Sequence, residues 1–187
     1  PSRVQPSATM LHTLGIHRRN VHGHWSKKLS PAIYVSPGDT VRLETLDAMW
    51  CADKPQAWPW RRFAEYDPAV DAGHCLTGPI YVHGAKAGGV LAGRIDRLVP
   101  GRWGWTNVWL DPEKQSRYKL STDGSYGVTW DIDPAELTAR DSRGRHVKNL
   151  RPFLGVMGVA PPTPGPHATT PPRVWGASTR RASTTSP

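Results

Sequence analysis

Apolar and polar residues alternate along several short stretches of the chain, and this alternation predicts strands rather than helices. In Thr40–Asp47, the side chains of Val41, Leu43 and Thr45 would share one face, and mostly charged residues would share the other. A period of two is typical of a half-buried strand. A Ser-Pro-Gly-Asp turn joins this run to the apolar run Ala32–Val35, as a hairpin or as a corner.

The stretch Gly73–Thr106 is predicted to form a strand, a tight corner and a second strand. Ile80–Val82 is a short apolar run, small residues follow at 84–89, and Val90–Val99 has alternating character. Glycines in the corner allow a positive φ angle or a close approach of two backbones. We therefore expect this stretch to form a central part of a β-rich fold.

Further short strands are expected in the second half of the chain. They are Trp105–Leu110, Ser116–Leu120, Tyr126–Ile132, Arg145–Asn149 and Phe153–Val159. Asp123-Gly124 is a strong signal for a hairpin turn, and Asp133 is a candidate N-cap for a helical turn at Pro134–Thr138. Residues 48–72 show no such period and are predicted to form a long aromatic-rich loop, with one helical turn near Phe63–Tyr66.

Composition supports a β-rich fold and divides the chain. The sequence has 19 Pro, 18 Gly and only 37% hydrophobic residues, which disfavours a helical bundle, while nine Trp can build a core from few residues. The predicted fold class is mainly β, with sandwich-like antiparallel sheets, long loops and little helix. The predicted domains are a flexible N-terminus at 1–12, a β-rich domain at 13–160 and a disordered Pro/Ser/Thr-rich tail at 161–187.

Charge and cysteine content restrict the class of protein. The net charge is +9, but the basic residues are spread thinly, so no stripe of cations predicts a nucleic-acid partner. Cys51 and Cys75 form no disulfide framework, which is typical of a reducing compartment. The chain has neither a run that could span a bilayer nor a signal peptide, so we expect a cytoplasmic protein without a membrane partner. The formation of a homo-oligomer is left open by the sequence.

Four blocks of the sequence resemble the acetamidase/formamidase family of amide hydrolases in their order and spacing. They are residues 22–48 (HGHWS to ETLDA), residues 74–89 (HCLTGPIYVHGAKAGG), residues 151–161 (RPFLGVMGVAP) and residues 171–173 (PPR). The resemblance covers about residues 20 to 175. It implies a β-rich, sandwich-like fold that is incomplete relative to the family. It also implies the hydrolysis of formamide or acetamide to a carboxylate and ammonia.

The resemblance also implies a bound divalent metal ion, zinc or calcium, and a small-molecule amide as the partner. A metal can polarise the amide carbonyl and lower the pKa of bound water. The candidate catalytic residues in the matched blocks are His22, His74, Glu44 and Asp47, and the candidate metal ligands are His22 and His74. From the residues alone, two histidines as close as those of His22-Gly23-His24 are more often structural than ligands, and only the resemblance makes His22 a candidate. A nucleophilic role for Cys75 lacks an oriented base and is not expected.

Beyond Pro-Pro-Arg, members of the family continue with a Gly-Gly-Asn-x-Asp pattern, whereas this chain has Trp175-Gly176-Ala177-Ser178 and a Ser/Thr/Arg tail. This departure suggests that the reading frame is lost near Gly176, and that the chain is a truncated hydrolase with weak or no activity. The alternative function is a non-catalytic β-sandwich module that binds a ligand with the Trp-rich loop Trp50–Trp60.

Overall fold

A computed structural model of the protein describes residues 9–55, 61–108, 116, 126–169 and 176–177. Within these residues the chain forms fourteen short strands, and its helix content is limited to one 3-10 turn at Arg18–Asn20 and a single position at Ser116. The strands are β1 (Leu11–Leu14), β2 (Val21–His22), β3 (His24–Trp25), β4 (Ile33–Val35), β5 (Thr40–Leu43), β6 (Leu76–Thr77), β7 (Ile80–Val82), β8 (Trp103–Val108), β9 (Tyr126–Asp133), β10 (Thr138–Asp141), β11 (Val147–Asn149), β12 (Met157–Gly158), β13 (His167–Ala168) and β14 (Gly176–Ala177). The predicted mainly β class is confirmed.

The chain divides into two compact units. Unit 1 comprises Pro1–Ala52, Arg62–Gly93 and Leu154–Pro187, and unit 2 comprises Asp53–Arg61 and Arg94–Phe153. The sequence predicted one domain over residues 13–160. Both units are built from the same kind of short strand, so the amino-acid composition does not change at Gly93 or Phe153. The boundary between the two units was therefore not visible in the sequence.

Unit 1 consists of two-stranded sheets whose strands lie far apart in the sequence. β1 pairs with β5 and β4 pairs with β7 in parallel, while β2–β6, β3–β13 and β12–β14 are antiparallel. β4 and β5 thus pair with different strands, so the Ser-Pro-Gly-Asp turn between them makes a corner and not a hairpin. Asp39 of this turn accepts hydrogen bonds from the backbone N–H groups of Met10 and Ser36 (3.0 and 2.8 Å).

Unit 2 is built on a four-stranded antiparallel sheet in the order β11-β10-β9-β8. The predicted strands at Trp105–Leu110 and Tyr126–Ile132 correspond to β8 and β9, which pair over six residues. Asp133 Oδ1 accepts hydrogen bonds from the N–H groups of Ala135 and Glu136 (2.9 and 3.1 Å), as expected of a cap, but residues 134–137 form a turn and not the predicted helical turn. The predicted hairpin turn at 123–124 lies outside the described residues, as does the predicted strand after Ser116.

The structure differs from the sequence prediction at Val90–Val99, which was expected to be a strand and forms none. Val90 is 98% exposed, and only Leu98 in this run is partly buried. Alternation marks a surface that suits a strand, but a strand also needs a neighbour, and within the described chain no strand pairs with this run. The preceding corner does use its glycines as expected, with positive φ angles at Gly84 and Gly88.

Both predicted ends also differ from the structure. β1 begins at Leu11, inside the predicted flexible N-terminus. Residues 161–169, assigned to the tail, include β13, and Thr169 is fully buried. A Pro-rich composition disfavours a large core, but it does not prevent a two-residue strand from pairing with β3. The tail after Thr169 lies outside the described residues, except for β14.

The apolar core lies mostly in unit 1. Among the described residues eight apolar ones are buried, and seven of them belong to unit 1, namely Leu14, Val21, Trp25, Val35, Trp50, Cys51 and Leu76. Trp50 and Cys51 come from the predicted irregular loop, which is irregular as expected. Its segment Phe63–Tyr66 forms a single turn, in which the N–H of Tyr66 donates to the carbonyl of Phe63 (3.0 Å), and not the predicted helical turn. Over the part of the chain that is described, no helix is long and apolar enough to cross a membrane.

Candidate functional site

The backbones at Gly23, at Asp71–Gly73 and at Thr169 cross in unit 1 at very short distance. The crossing lies beside His22 and His74, two of the predicted site residues. A Cβ atom on Gly23 would lie 2.6 Å from Asp71 Cα, and one on Gly73 would overlap the Gly23 carbonyl and the Thr169 hydroxyl. Real Cβ atoms do not approach other atoms so closely, so both positions require glycine. The backbone N–H of His74 donates to Thr169 Oγ1 (2.5 Å). The crossing therefore fixes the backbone next to His22 and at His74.

A buried ion pair holds the same region from the other side. Asp71 has a side chain that is 1% exposed, and it accepts from Arg18 Nη1 and Nη2 at 2.6 and 3.2 Å. Its Oδ2 also accepts from the N–H of Asp67 (3.0 Å). Because all of these contacts are inside unit 1, the pair ties the 3-10 turn before β2 to the segment before β6.

His22 is buried at the end of β2, where it pairs with Leu76 of β6. Burial lowers the pKa of His22 to about 4, and the nearby His24 acts in the same direction. The ring is therefore neutral near pH 7. Its Nδ1 is buried and has no hydrogen-bond partner among the residues that the structure describes.

His74 and Asp47 are brought close enough to act on each other electrostatically. Partial burial lowers the pKa of His74, and the negative charge of Asp47 opposes this shift. Asp47 Oδ1 also accepts from the N–H of Met49 (2.9 Å). The result is a half-buried imidazole that is neutral near pH 7 and has a carboxylate nearby to stabilise its protonated form.

The remaining predicted residue, Glu44, lies elsewhere. It is exposed, and its Oε2 is 3.4 Å from the N–H of Ile16, which donates to it. The charged groups that act on His22 are His24, Asp71 and Arg18, so the structure does not gather the four predicted catalytic residues into one cluster.

The surroundings of both thiols disfavour the thiolate form. Burial raises the pKa of Cys51 to about 12, and burial likewise raises the pKa of Cys75 to about 12. A thiolate is the reactive form of cysteine, and its fraction at neutral pH is negligible at such a pKa. This agrees with the expectation that Cys75 is not a catalytic nucleophile.

A cavity of about 200 Å³ opens in unit 1 beside His74. The described residues that line it are Met49, Trp50, Arg62, Tyr66, Asp71, Ala72, Gly73 and His74. The rings of Trp50 and Tyr66 are 5.5 Å apart at 60°, and the Arg62 guanidinium lies 4.4 Å from the Tyr66 ring centroid. The indole N–H of Trp50 donates to the Gly73 carbonyl (2.9 Å). The cavity thus joins an aromatic wall, a cation and a neutral imidazole.

The described residues do not by themselves fit a metal ion. His22 has the unpaired, neutral nitrogen that a zinc ligand needs. However, protein zinc sites use three or four protein ligands, and within the described ranges no group of three or more His, Cys, Asp or Glu side chains lies together. No step of the chemistry below is therefore assigned to a metal.

Sequence reasoning missed Arg18, Asp71, Tyr66 and Thr169. Arg18 and Asp71 are 53 residues apart and His74 and Thr169 are 95 apart, so no local spacing connects them. The available signal was the pair of dipeptides His22-Gly23 and Gly73-His74, in which each predicted histidine adjoins a glycine of the crossing.

Comparisons with known proteins agree with the sequence resemblance. A sequence model of the acetamidase/formamidase family matches residues 11–169. An acetamidase from Bacillus halodurans is 24% identical with a TM-score of 0.59, over 84% of this chain and 48% of that one. A predicted acetamidase/formamidase from the thermophile Thermoanaerobacter tengcongensis is 24% identical with a TM-score of 0.63, over 90% and 52%. The chain spans about half the length of these two proteins, which share its fold. A search of curated proteins found no match.

Proposed function

The chain belongs to the acetamidase/formamidase family, and from this premise we propose that it binds short-chain amides in the cavity of unit 1 and hydrolyses them to a carboxylate and ammonia. Formamide and acetamide are the proposed substrates. The observation that carries the proposal is the position of His74, a half-buried imidazole that lines the cavity and belongs to the segment matched by the family.

In the proposed reaction a water molecule adds to the amide carbonyl carbon, the C–N bond breaks, and the nitrogen leaves as ammonia after taking up a proton. A neutral imidazole can accept the proton of the attacking water and then deliver it to the leaving nitrogen. The His74 ring has the protonation state for this role, because burial lowers its pKa. The charge of Asp47 would stabilise the imidazolium that forms in between.

Two other groups of the cavity have supporting roles in this proposal. The guanidinium of Arg62 is a cation at the cavity and would stabilise the negative charge that develops on the carbonyl oxygen. Asp71 is a positioning residue, because its carboxylate is already bound by Arg18. Glu44 is given no role in this proposal, because it does not line the cavity and its carboxylate accepts a hydrogen bond from the N–H of Ile16.

We propose that turnover by this chain is slow, because a metal site is not complete within the residues described. The expectation that a divalent metal takes part is tested by metal analysis of the purified protein. The expectation that the frame is lost near Gly176 is tested by resequencing the gene.

The test is ammonia release from formamide and acetamide by the purified chain. His74→Gln removes the proposed base, and its rate should fall by about 10²–10⁴-fold, which is the usual contribution of general acid–base catalysis. The matched control is His83→Gln, because the exposed His83 ring packs on Tyr34 and Tyr81 and does not line the cavity. Equal rates for His74→Gln and the unaltered chain would contradict the proposal.

The same assay tests the alternative of a non-catalytic binding module. Its proposed loop does not present Trp50 to solvent, since this side chain is 2% exposed and belongs to the core, and Trp58 and Trp60 lie outside the described residues. Amide binding without ammonia release would favour the binding module.

A further inference from the structure

We infer that Trp50 is a positioning residue, which holds the carboxylate of Asp47 beside the proposed base, His74. The inference rests on the proposed function, because it concerns the same base and the same carboxylate. It adds to that function a side chain that takes no part in proton transfer and acts only through the turn at 47–50.

Two hydrogen bonds join the turn at 47–50 to the residues on either side of the base. On one side, the indole N–H of Trp50 donates to the carbonyl of Gly73 (2.9 Å). On the other side, the N–H of Cys75 donates to the carbonyl of Ala48 (3.0 Å). The base therefore lies between two fixed points, and both of them are attached to the turn that carries the carboxylate.

The turn is also closed by hydrogen bonds of its own. The N–H of Trp50 donates to the carbonyl of Asp47 (2.9 Å), and the N–H of Met49 donates to Asp47 Oδ1 (2.9 Å). The second bond fixes the carboxylate itself and not only the backbone. A displacement of Trp50 would therefore displace the carboxylate with it.

The backbone of Trp50 has a conformation that residues with a side chain rarely adopt, with a φ angle of 65°. Among the described residues other than glycine, only Leu137 also has a positive φ angle. Such a conformation costs free energy, persists only where the surroundings enforce it, and is concentrated at functional sites. A tryptophan that only fills a core can do so with an ordinary backbone conformation. The left-handed conformation therefore points to the turn that Trp50 closes.

The position of the carboxylate can be measured without any turnover. Burial lowers the pKa of His74, and the negative charge of Asp47 opposes this shift. Removing that charge should therefore lower the pKa of His74 further, but only while the carboxylate lies beside the ring. The titration of His74 thus reports whether the turn holds Asp47 in place.

The test is an NMR pH titration of the imidazole C–H signals in the full chain, in which the spectrum of His74→Gln identifies the signal of His74. Asp47→Asn should lower the pKa of His74. Trp50→Phe keeps an aromatic ring in the core and removes the indole N–H that donates to Gly73. In the double variant, Asp47→Asn should have much less effect on His74, because the carboxylate no longer lies beside the ring.

The matched control is Trp25→Phe, because Trp25 is a buried tryptophan of the same unit that does not line the cavity. In this background, Asp47→Asn should act on His74 as it does in the unaltered chain. Ammonia release should fall by about 10–10²-fold in Trp50→Phe, since a misplacement of about 1 Å can cost 10²-fold in rate. It should be unchanged in Trp25→Phe, and far-UV circular dichroism checks that each variant is folded.

The outcomes separate this inference from the proposed function. Equal effects of Asp47→Asn with and without Trp50→Phe would overturn the inference, and so would the absence of any effect in the unaltered chain. A rate that falls in His74→Gln but not in Trp50→Phe would overturn the inference alone. A loss of the Asp47 effect in Trp50→Phe, in a chain that releases no ammonia, would support the inference and overturn hydrolysis.

Hydrogen exchange of the unaltered chain decides the matter if Trp50→Phe does not fold. The indole N–H of Trp50 and the backbone N–H of Cys75 should both be protected from exchange, because both are donors in the bonds that flank the base. Exchange of either group at the rate of an unstructured peptide would overturn the inference.

Discussion

Replacing Arg18 by alanine should lower the free energy of unfolding of unit 1 by about 3 kcal/mol. Asp71 is 1% exposed and accepts three hydrogen bonds, of which Arg18 supplies two together with the positive charge. Removing one partner of a buried ion pair costs about 3–5 kcal/mol, because the other charge stays buried without compensation. The low end is expected here, since the Arg18 side chain is 33% exposed and water can enter beside Asp71.

The assay is urea unfolding followed by tryptophan fluorescence. Arg42→Ala is the matched control, because Arg42 is exposed on β5 of the same unit and its removal should change the unfolding free energy by less than about 0.5 kcal/mol. Asp71→Asn combined with Arg18→Ala removes both charges. This double variant should be less destabilised than the sum of the single changes by about 1–3 kcal/mol, as expected for residues in contact.

Two results would refute the reasoning about this pair. One is a loss in Arg18→Ala that is no larger than the loss in Arg42→Ala, which would mean that Asp71 is solvated in the folded chain. The other is full additivity in the double variant, which would mean that the two side chains stabilise the fold independently of each other.

The remaining predictions concern the crossing and the turn before β5. Gly73→Ala should destabilise unit 1 by about 2–3 kcal/mol in urea unfolding, because the added methyl group overlaps Gly23 and Thr169. Gly155→Ala, where a Cβ meets nothing within 4 Å, is its control, and equal effects of the two changes would contradict a crowded crossing. Hydrogen bonds from Met10, Ser36 and His12 lower the pKa of Asp39 from 3.8 to about 2, so its stabilisation is present above pH 3.8 and is lost as the pH falls towards 2. Asp39→Asn should flatten the acid unfolding curve in that interval, and an unchanged curve would exclude a role for Asp39.

The parts of the fold that sequence predicted are those in which local chemistry decides. The Ser-Pro-Gly-Asp corner, the strand at Tyr126–Ile132 and the cap at Asp133 depend on residues a few positions apart, and each is present in the structure. The prediction of a strand at Val90–Val99 was wrong, because alternation of apolar and polar residues indicates a half-buried surface and not the presence of a neighbouring strand. The division into two units was not predicted, because it depends on contacts between distant segments.

The candidate site shows the same limit. His74 and Asp47 were selected from motif blocks, and the structure places them within electrostatic reach of each other. Glu44 was selected from the same block as Asp47 and lies only three positions before it in the sequence. Its carboxylate nevertheless accepts a hydrogen bond from the backbone of Ile16, away from His74. The partners that hold the site in place, Arg18 with Asp71 and Thr169 with His74, act across 53 and 95 residues, and no spacing rule reaches so far.

The hydrogen bond between His74 and Thr169 also bears on the order in which the chain can fold. Unit 2 residues 94–153 are synthesised between the two ends of this contact, so they leave the ribosome before Thr169 does. Contacts between residues far apart in sequence form late, because the loop between them must close first. The segment at His74 and the β3–β13 pair are therefore expected to reach their final arrangement after the local β8–β9 pairing, as one of the last steps of folding. A nascent chain that stalls before Thr169 would hold its candidate base on an unanchored segment.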